Sequence, residues 1–275
     1  MNRAWRSSVR HELAVALVLL AVIAATLAFA TGWGIVYALV ATAAFALAIA
    51  VVGRSFERSF VRSFERSFVP SFGPSFLPSF EQAASPRAAV FGAANRVTLA
   101  RVALAMLLAA VLCTDARQRA AWLPWALVAV ATAAALLDAV DGPLARRSGL
   151  ASPFGARFDM EADAWFVLVL AMLAWQFDRA GAWVLASGAM RYAFVGAGAL
   201  WPWLAAPLPA SRWRQAVCAV QVAALIVALA PVWPRWAASA LCAAGLVLLS
   251  ASFGADVHRL WRRGQALPPA PSCQA

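Results

Sequence analysis

The stretch from Leu13 to Gly53 contains no charged residue, and this feature constrains the fold more than any other in the chain. A single helix over this stretch would be ~60 Å long, about twice the thickness of the hydrocarbon core of a bilayer. We therefore predict two membrane spans in a hairpin, with the turn at 31–34, where the sequence reads Thr-Gly-Trp-Gly. A cleaved signal peptide is the alternative, because Arg residues precede the stretch, but the apolar region of a signal peptide is only about 7–15 residues long.

The whole chain has the composition of a membrane protein. Of its 275 residues, 64% are hydrophobic and 13% are charged, whereas soluble domains are about half apolar and about a quarter charged. The net charge of +11 comes from short Arg clusters between apolar runs. This pattern is typical of topology signals and contacts with anionic lipids, so we expect membrane lipids as partners and no nucleic acid.

Six further apolar runs follow, each long enough to cross a bilayer with some tilt. They lie near 97–114, 120–140, 162–177, 182–203, 215–232 and 236–256. We predict an all-α, polytopic membrane protein in which a six-helix core follows the two-helix N-terminal hairpin. With the N-terminus in the cytoplasm, most Arg residues between the spans fall on the cytoplasmic side, as the positive-inside rule requires. We expect a bacterial inner-membrane protein.

Residues 54–87 interrupt the apolar pattern. Ser-Phe recurs every four residues, preceded first by Arg and later by Pro, and these prolines exclude a continuous helix. We interpret the segment as a low-complexity cytoplasmic linker; a basic, Phe-bearing segment on the membrane surface is the alternative. The predicted organisation is a hairpin at 1–53, this linker, a six-span domain at 88–258 and a C-terminal tail at 259–275.

Four Asp residues lie at the neighbouring ends of two consecutive predicted spans. Asp138 and Asp141 are three residues apart, and Asp159 and Asp163 are four apart. On helices these spacings place each pair on one face, and a short connection makes the two spans antiparallel neighbours. Converging carboxylates repel one another unless cations lie between them, and their oxygens suit Mg²⁺ or Mn²⁺. The pattern predicts a site for two divalent ions, facing the cytoplasm.

The loop predicted between the two Asp pairs suits a phosphate-bearing ligand. Gly142 and Gly155 allow a ligand to approach the backbone closely, and Arg146 offers a fork of donors to phosphate oxygens. A cation transporter is the alternative from another class of protein. It would account for the acids but not for the Gly and Arg residues at these spacings.

This segment resembles the signature of the CDP-alcohol phosphatidyltransferases, D-x2-D-G-x2-A-R-x8-G-x3-D-x3-D. Every fixed position matches, namely Asp138, Asp141, Gly142, Ala145, Arg146, Gly155, Asp159 and Asp163. A weaker resemblance lies upstream, where Asn95, Thr98 and Arg101 fit the N-x2-T-x2-R that opens many members. The resemblance covers roughly 90–258 and includes the six-helix core, so that the N-terminal hairpin and the Ser-Phe repeat lie outside it.

The resemblance implies a role for each matching residue. The metal ligands would be Asp138, Asp141, Asp159 and Asp163, and Asp163 would also act as general base on the acceptor hydroxyl. The residues of the CDP pocket would be Asn95, Thr98, Arg101, Gly142, Ala145, Arg146 and Gly155.

The implied reaction is the transfer of a phosphatidyl group from CDP-diacylglycerol to a small alcohol, with release of CMP, in phospholipid biosynthesis. A CDP-alcohol donor with diacylglycerol as acceptor is the alternative within the class. The resemblance also implies a homodimer.

Three Arg residues in later spans are candidates for binding the acceptor. Arg191 lies mid-span, where Arg usually faces a cavity or a partner, so acceptor binding and a structural salt bridge are equally good interpretations. Arg212 and Arg214 begin the next span on the predicted cytoplasmic side. The family often carries basic residues near this position, but membrane topology alone accounts for them equally well.

Overall fold

The computed structural model describes residues 3–48, 50, 93–114, 120–148, 153–205 and 211–266. Within these ranges every regular element is a helix and no strand occurs, which confirms the predicted all-α class. The predicted linker at 54–87 lies outside the described residues. The chain forms two compact units, Met1–Phe166 and Val167–Ala275, each of which has its own packing.

The first unit begins with a helical hairpin whose turn is the predicted one. Its helices are α1 (Arg3–Thr31), α2 (Gly34–Ala48), α3 (Ala93–Val111), α4 (Leu123–Ser148) and the first part of α5 (Pro153–Gln176). Gly32 and Gly34, between α1 and α2, have φ angles of +70° and +73°. Residues with a Cβ rarely adopt this conformation, so the two glycines explain why the helix is interrupted here.

The hairpin packs against α3, and α3 packs along α4. The buried Tyr37 hydroxyl donates a hydrogen bond of 3.2 Å to the main-chain carbonyl oxygen of Leu107 in α3. At the turn, Trp33 stacks on Trp122, with the ring centroids 6.1 Å apart. Large apolar side chains elsewhere on the hairpin, such as Phe29, are exposed. This distribution suits a hairpin with one face against the protein and the other in lipid.

The second unit is built around three helices. It contains the rest of α5, α6 (Ala186–Leu200), α7 (Arg212–Leu229) and α8 (Arg235–Ala266), with 3₁₀ turns at Ala182–Leu185 and Pro202–Ala205. The helices α7 and α8 pack along each other. Helix α8 continues to Ala266, past the predicted end of the six-span domain at 258, and its polar last turns contain no proline, the strongest helix breaker.

Three helices of the described ranges are long and apolar enough to cross a membrane: Leu13–Thr31, Arg212–Leu229 and Arg235–Arg262. Gly34–Ala48 and Leu123–Asp138 are shorter apolar helices. The long apolar helices indicate a membrane protein. The count of six spans plus two, and the direction in which they cross, stay predictions.

Candidate metal centre

Three of the four predicted metal ligands lie close together in the first unit. Asp138 lies in α4, whereas Asp159 and Asp163 lie one turn apart in α5. The carboxylate oxygens that these residues offer all lie within 4.8 Å of one another. The two helices therefore bring acids that are far apart in the chain to one small volume, which we call the Asp cluster.

The side chain of Arg101, from α3, contacts every acid of the Asp cluster. Its Nη1 lies 2.7 Å from Oδ1 of Asp138 and 2.7 Å from Oδ1 of Asp159. Its Nη2 donates a hydrogen bond to Oδ1 of Asp163. The Arg101 side chain is 5% exposed, while those of the three acids are 44%, 39% and 32% exposed. The guanidinium thus approaches the acids from the interior, and the acids are open to a ligand from outside.

The charges of the Asp cluster suit a divalent cation. One guanidinium faces three carboxylates, which leaves two negative charges uncompensated among these four side chains. Partly buried carboxylates so close together are costly unless cations bind them. The donors are all carboxylate oxygens, the ligands that Mg²⁺ and Mn²⁺ prefer. The residues present therefore fit the predicted kind of metal.

The remaining residues of the predicted centre lie on the same helices. Thr98 is buried one turn before Arg101 on α3. Helix α4 runs to Ser148 and α5 begins at Pro153, so the described part of the segment predicted as a loop is helical; residues 149–152 lie outside the described residues. The backbones of the following residues are helical, while their side chains lie outside the description: Asn95 in α3; Asp141, Gly142, Ala145 and Arg146 in α4; Gly155 in α5.

The three candidates for acceptor binding belong to the second unit. In the first turn of α7, Nη1 of Arg214 lies 3.3 Å from Oδ2 of Asp256, and Oδ1 of Asp256 lies 3.7 Å from Nη1 of Arg259. We call these three residues the Asp256 cluster. Arg212 is exposed at the start of α7, and Arg191 is partly buried in the middle of α6.

Asp256 was not among the residues chosen from the sequence. The available signal was a single acid near the end of an apolar helix, three residues before Arg259, a spacing that places both on one helix face. Its other partner, Arg214 in α7, is 42 residues away in the chain, so no helix spacing links the two residues.

The second unit also contains an apolar cavity of about 450 Å³, between α6, the following 3₁₀ turn and α8. Aromatic side chains form much of its wall: Phe194, Trp201, Trp203 and Phe253. The rings of Phe194 and Phe253 meet edge to face, with centroids 5.8 Å apart. The described residues of this wall include no charged group, and such a wall suits apolar ligands or lipid.

The sequence model of the CDP-alcohol phosphatidyltransferase family matches residues 91–251, more than half of the chain. The match includes the three acids of the Asp cluster and Arg101, and it begins after the N-terminal hairpin. Comparison with curated proteins and with solved structures finds no match.

Proposed function

The chain belongs to the CDP-alcohol phosphatidyltransferase family, and from this premise we propose that it transfers a phosphatidyl group from CDP-diacylglycerol to a small alcohol and releases CMP. The family is one of phosphotransferases, and its members use divalent metals. The observation that carries the proposal is the Asp cluster, in which acids from two helices lie within 4.8 Å of one another with an excess of negative charge.

We assign Asp138, Asp159 and Asp163, together with Asp141, as ligands of two Mg²⁺ or Mn²⁺ ions. Ions held there would supply positive charge to the pyrophosphate of the donor and to the departing CMP. The side chains of the three acids are 32–44% exposed, whereas that of Arg101 is 5% exposed. A polar donor headgroup therefore has access to the acids.

Asp163 is our candidate for the general base, because its side chain is the least exposed of the three acids. In the proposed step the acceptor hydroxyl gives its proton to the Asp163 carboxylate. The acceptor oxygen then forms a bond to the phosphorus of the phosphatidyl group, and the bond between that phosphorus and the CMP oxygen breaks. The electron pair of the broken bond leaves with CMP, so the charges balance.

The other candidate residues are assigned to binding. We place the CDP group against Asn95, Thr98, Arg101, Gly142, Ala145, Arg146 and Gly155. Arg212 is the strongest candidate for a phosphorylated acceptor, since its side chain is exposed, whereas Arg214 is paired with Asp256. Arg191 is the candidate within α6. We further propose that the enzyme is a homodimer in a bacterial inner membrane with its site at the cytoplasmic face.

The test is an assay of CMP release by the full chain in detergent, with Mn²⁺ or Mg²⁺ and labelled CDP-diacylglycerol. We expect release only after addition of the correct acceptor from a panel of serine, glycerol 3-phosphate, inositol, inositol phosphate, choline and phosphatidylglycerol. Turnover with a soluble CDP-alcohol and diacylglycerol instead would establish the alternative donor. Cation flux in proteoliposomes without any CMP release would contradict the proposal and support a transporter.

A further inference from the structure

We propose that Arg101 is a built-in competitor of the metal ions, so that cations bind weakly alone and tightly together with the nucleotide. The inference rests on the proposed metal site. It adds to that site a contribution of one buried Arg to the coupling between metal binding and nucleotide binding.

The contacts of Arg101 overlap with the proposed ligands of the ions. Its Nη1 is 2.7 Å from oxygens of both Asp138 and Asp159, and its Nη2 contacts Asp163. A cation bound between the acids needs oxygens at about 2.0–2.1 Å for Mg²⁺. The guanidinium nitrogens contact Oδ1 of each acid, so an ion that uses these oxygens replaces some of the Arg101 contacts.

Arg101 is buried beside the Asp cluster and keeps its charge. Its side chain is 5% exposed, so moving the guanidinium away from the acids would require the packing around it to rearrange. A guanidinium also stays protonated in proteins. The positive charge therefore remains next to the ions after they bind, and it opposes them by charge repulsion as well as by competition for oxygens.

The Arg101 donors that the ions displace need new acceptors. Hydrogen-bond donors of a buried guanidinium are costly when they have no acceptor. Phosphate oxygens of a nucleotide bound at the acids would supply acceptors that match the planar fork of Arg, and their negative charge would offset that of the guanidinium. A nucleotide thus relieves the repulsion that opposes the ions, and each ligand strengthens the binding of the other.

The experiment measures Mn²⁺ binding to the full chain in detergent, by electron paramagnetic resonance of the free ion, without and with CDP. We compare the wild-type chain with Arg101→Gln, which removes the charge but keeps a polar side chain. Without CDP the variant should bind Mn²⁺ about tenfold more tightly, as expected from the loss of one charge-assisted competing interaction. Added CDP should tighten Mn²⁺ binding in both chains, because its phosphates face the ions, and by a larger factor in the wild type, where it also offsets the charge of Arg101.

The matched control is Arg235→Gln, which makes the same change of charge in the second unit. Arg235 pairs with Asp178, and both side chains are exposed. Its Mn²⁺ affinity should equal that of the wild type, so that a general effect of protein charge is separated from an effect at the Asp cluster.

Equal or weaker Mn²⁺ binding by Arg101→Gln would overturn the inference. Should this variant fail to fold, Arg101→Lys serves instead, since an ammonium makes fewer fixed contacts than a guanidinium. The Lys variant should bind Mn²⁺ a few times more tightly than the wild type. An unchanged affinity would again overturn the inference. Failure of the proposed function is measured separately, as absence of CMP release with every acceptor. A wild-type chain without saturable Mn²⁺ binding that Asp138→Asn removes would exclude the metal site itself.

Discussion

The Asp cluster of the first unit and the Asp256 cluster of the second unit are opposite arrangements of the same groups. In the Asp cluster one buried Arg faces three partly exposed acids. In the Asp256 cluster one acid, 10% exposed, faces two Arg side chains that are 28% and 64% exposed. Both join helices by ion pairs, but only the first leaves carboxylates in excess at an open surface. The excess and the exposure indicate a cation site in one case and a structural contact in the other.

The largest expected effect tests the first half of this comparison. Asp163→Asn removes the proposed base and one metal ligand, and we expect turnover to fall by about 10³-fold, as is typical when a general base is lost. The midpoint of thermal unfolding should change little, because an amide still accepts a hydrogen bond from Arg101. The measurement is CMP release beside a thermal unfolding curve on the same sample.

The matched control for Asp163→Asn is Glu161→Gln. Glu161 lies between the two α5 acids of the Asp cluster but is exposed and is not part of it. The control should keep wild-type turnover. If Asp163→Asn were as active as the control, the assignment of Asp163 as the base would be wrong.

Asp256→Asn tests the second half of the comparison, with the opposite expected result. The substitution weakens charge-assisted contacts with Arg214 and Arg259. We expect a loss of about 2 kcal/mol in the free energy of unfolding. This loss is smaller than that for a fully buried pair, because both Arg residues are partly exposed. Turnover per folded molecule should stay near that of the wild type. A large loss of turnover with unchanged stability would mean that the Asp256 cluster takes part in the reaction.

A smaller effect is expected from Gly245→Ala, at the packing of α7 on α8. A Cβ at Gly245 would lie 2.3 Å from Oε1 of Gln221, a buried amide that makes no hydrogen bond within the described part of the chain. We expect a loss of about 1 kcal/mol in the free energy of unfolding, because the buried amide must shift in a packed interface. The double variant Gly245→Ala/Gln221→Ala should cost less than the two single changes added together; full additivity would show that the two residues are not coupled.

The part of this structure that could be predicted from the sequence is the part set by local spacing. The turn at Gly32 and Gly34 follows from glycine conformation, and the one-turn separation of Asp159 and Asp163 follows from helix periodicity. The predicted end of α4 was wrong. Gly142 and Pro143 favour a helix end in isolation, but the helix continues to Ser148.

Contacts between helices distant in sequence were not predictable in this way. Arg101 meets Asp159 and Asp163 across 58 and 62 residues, and Arg214 meets Asp256 across 42. Helix periodicity shows which residues share a face, but the partner of that face depends on tertiary packing. The contact between Arg101 and the acids therefore appears only in the structure, although Arg101 itself was selected from the sequence for another role.

An equally small effect is expected in the hairpin, which lies outside the family match yet packs in the same unit as the Asp cluster. Tyr37→Phe removes only the hydroxyl that donates to the carbonyl oxygen of Leu107 in α3. We expect a loss of about 1 kcal/mol in the free energy of unfolding, the usual net value of one hydrogen bond, with turnover unchanged. Thr26→Val is the control, because Thr26 donates only to a carbonyl oxygen of its own helix, in an exposed position. If Tyr37→Phe lowered turnover without lowering stability, the hairpin would act on the Asp cluster through α3, and the first unit would work as one body rather than as a core with an added anchor.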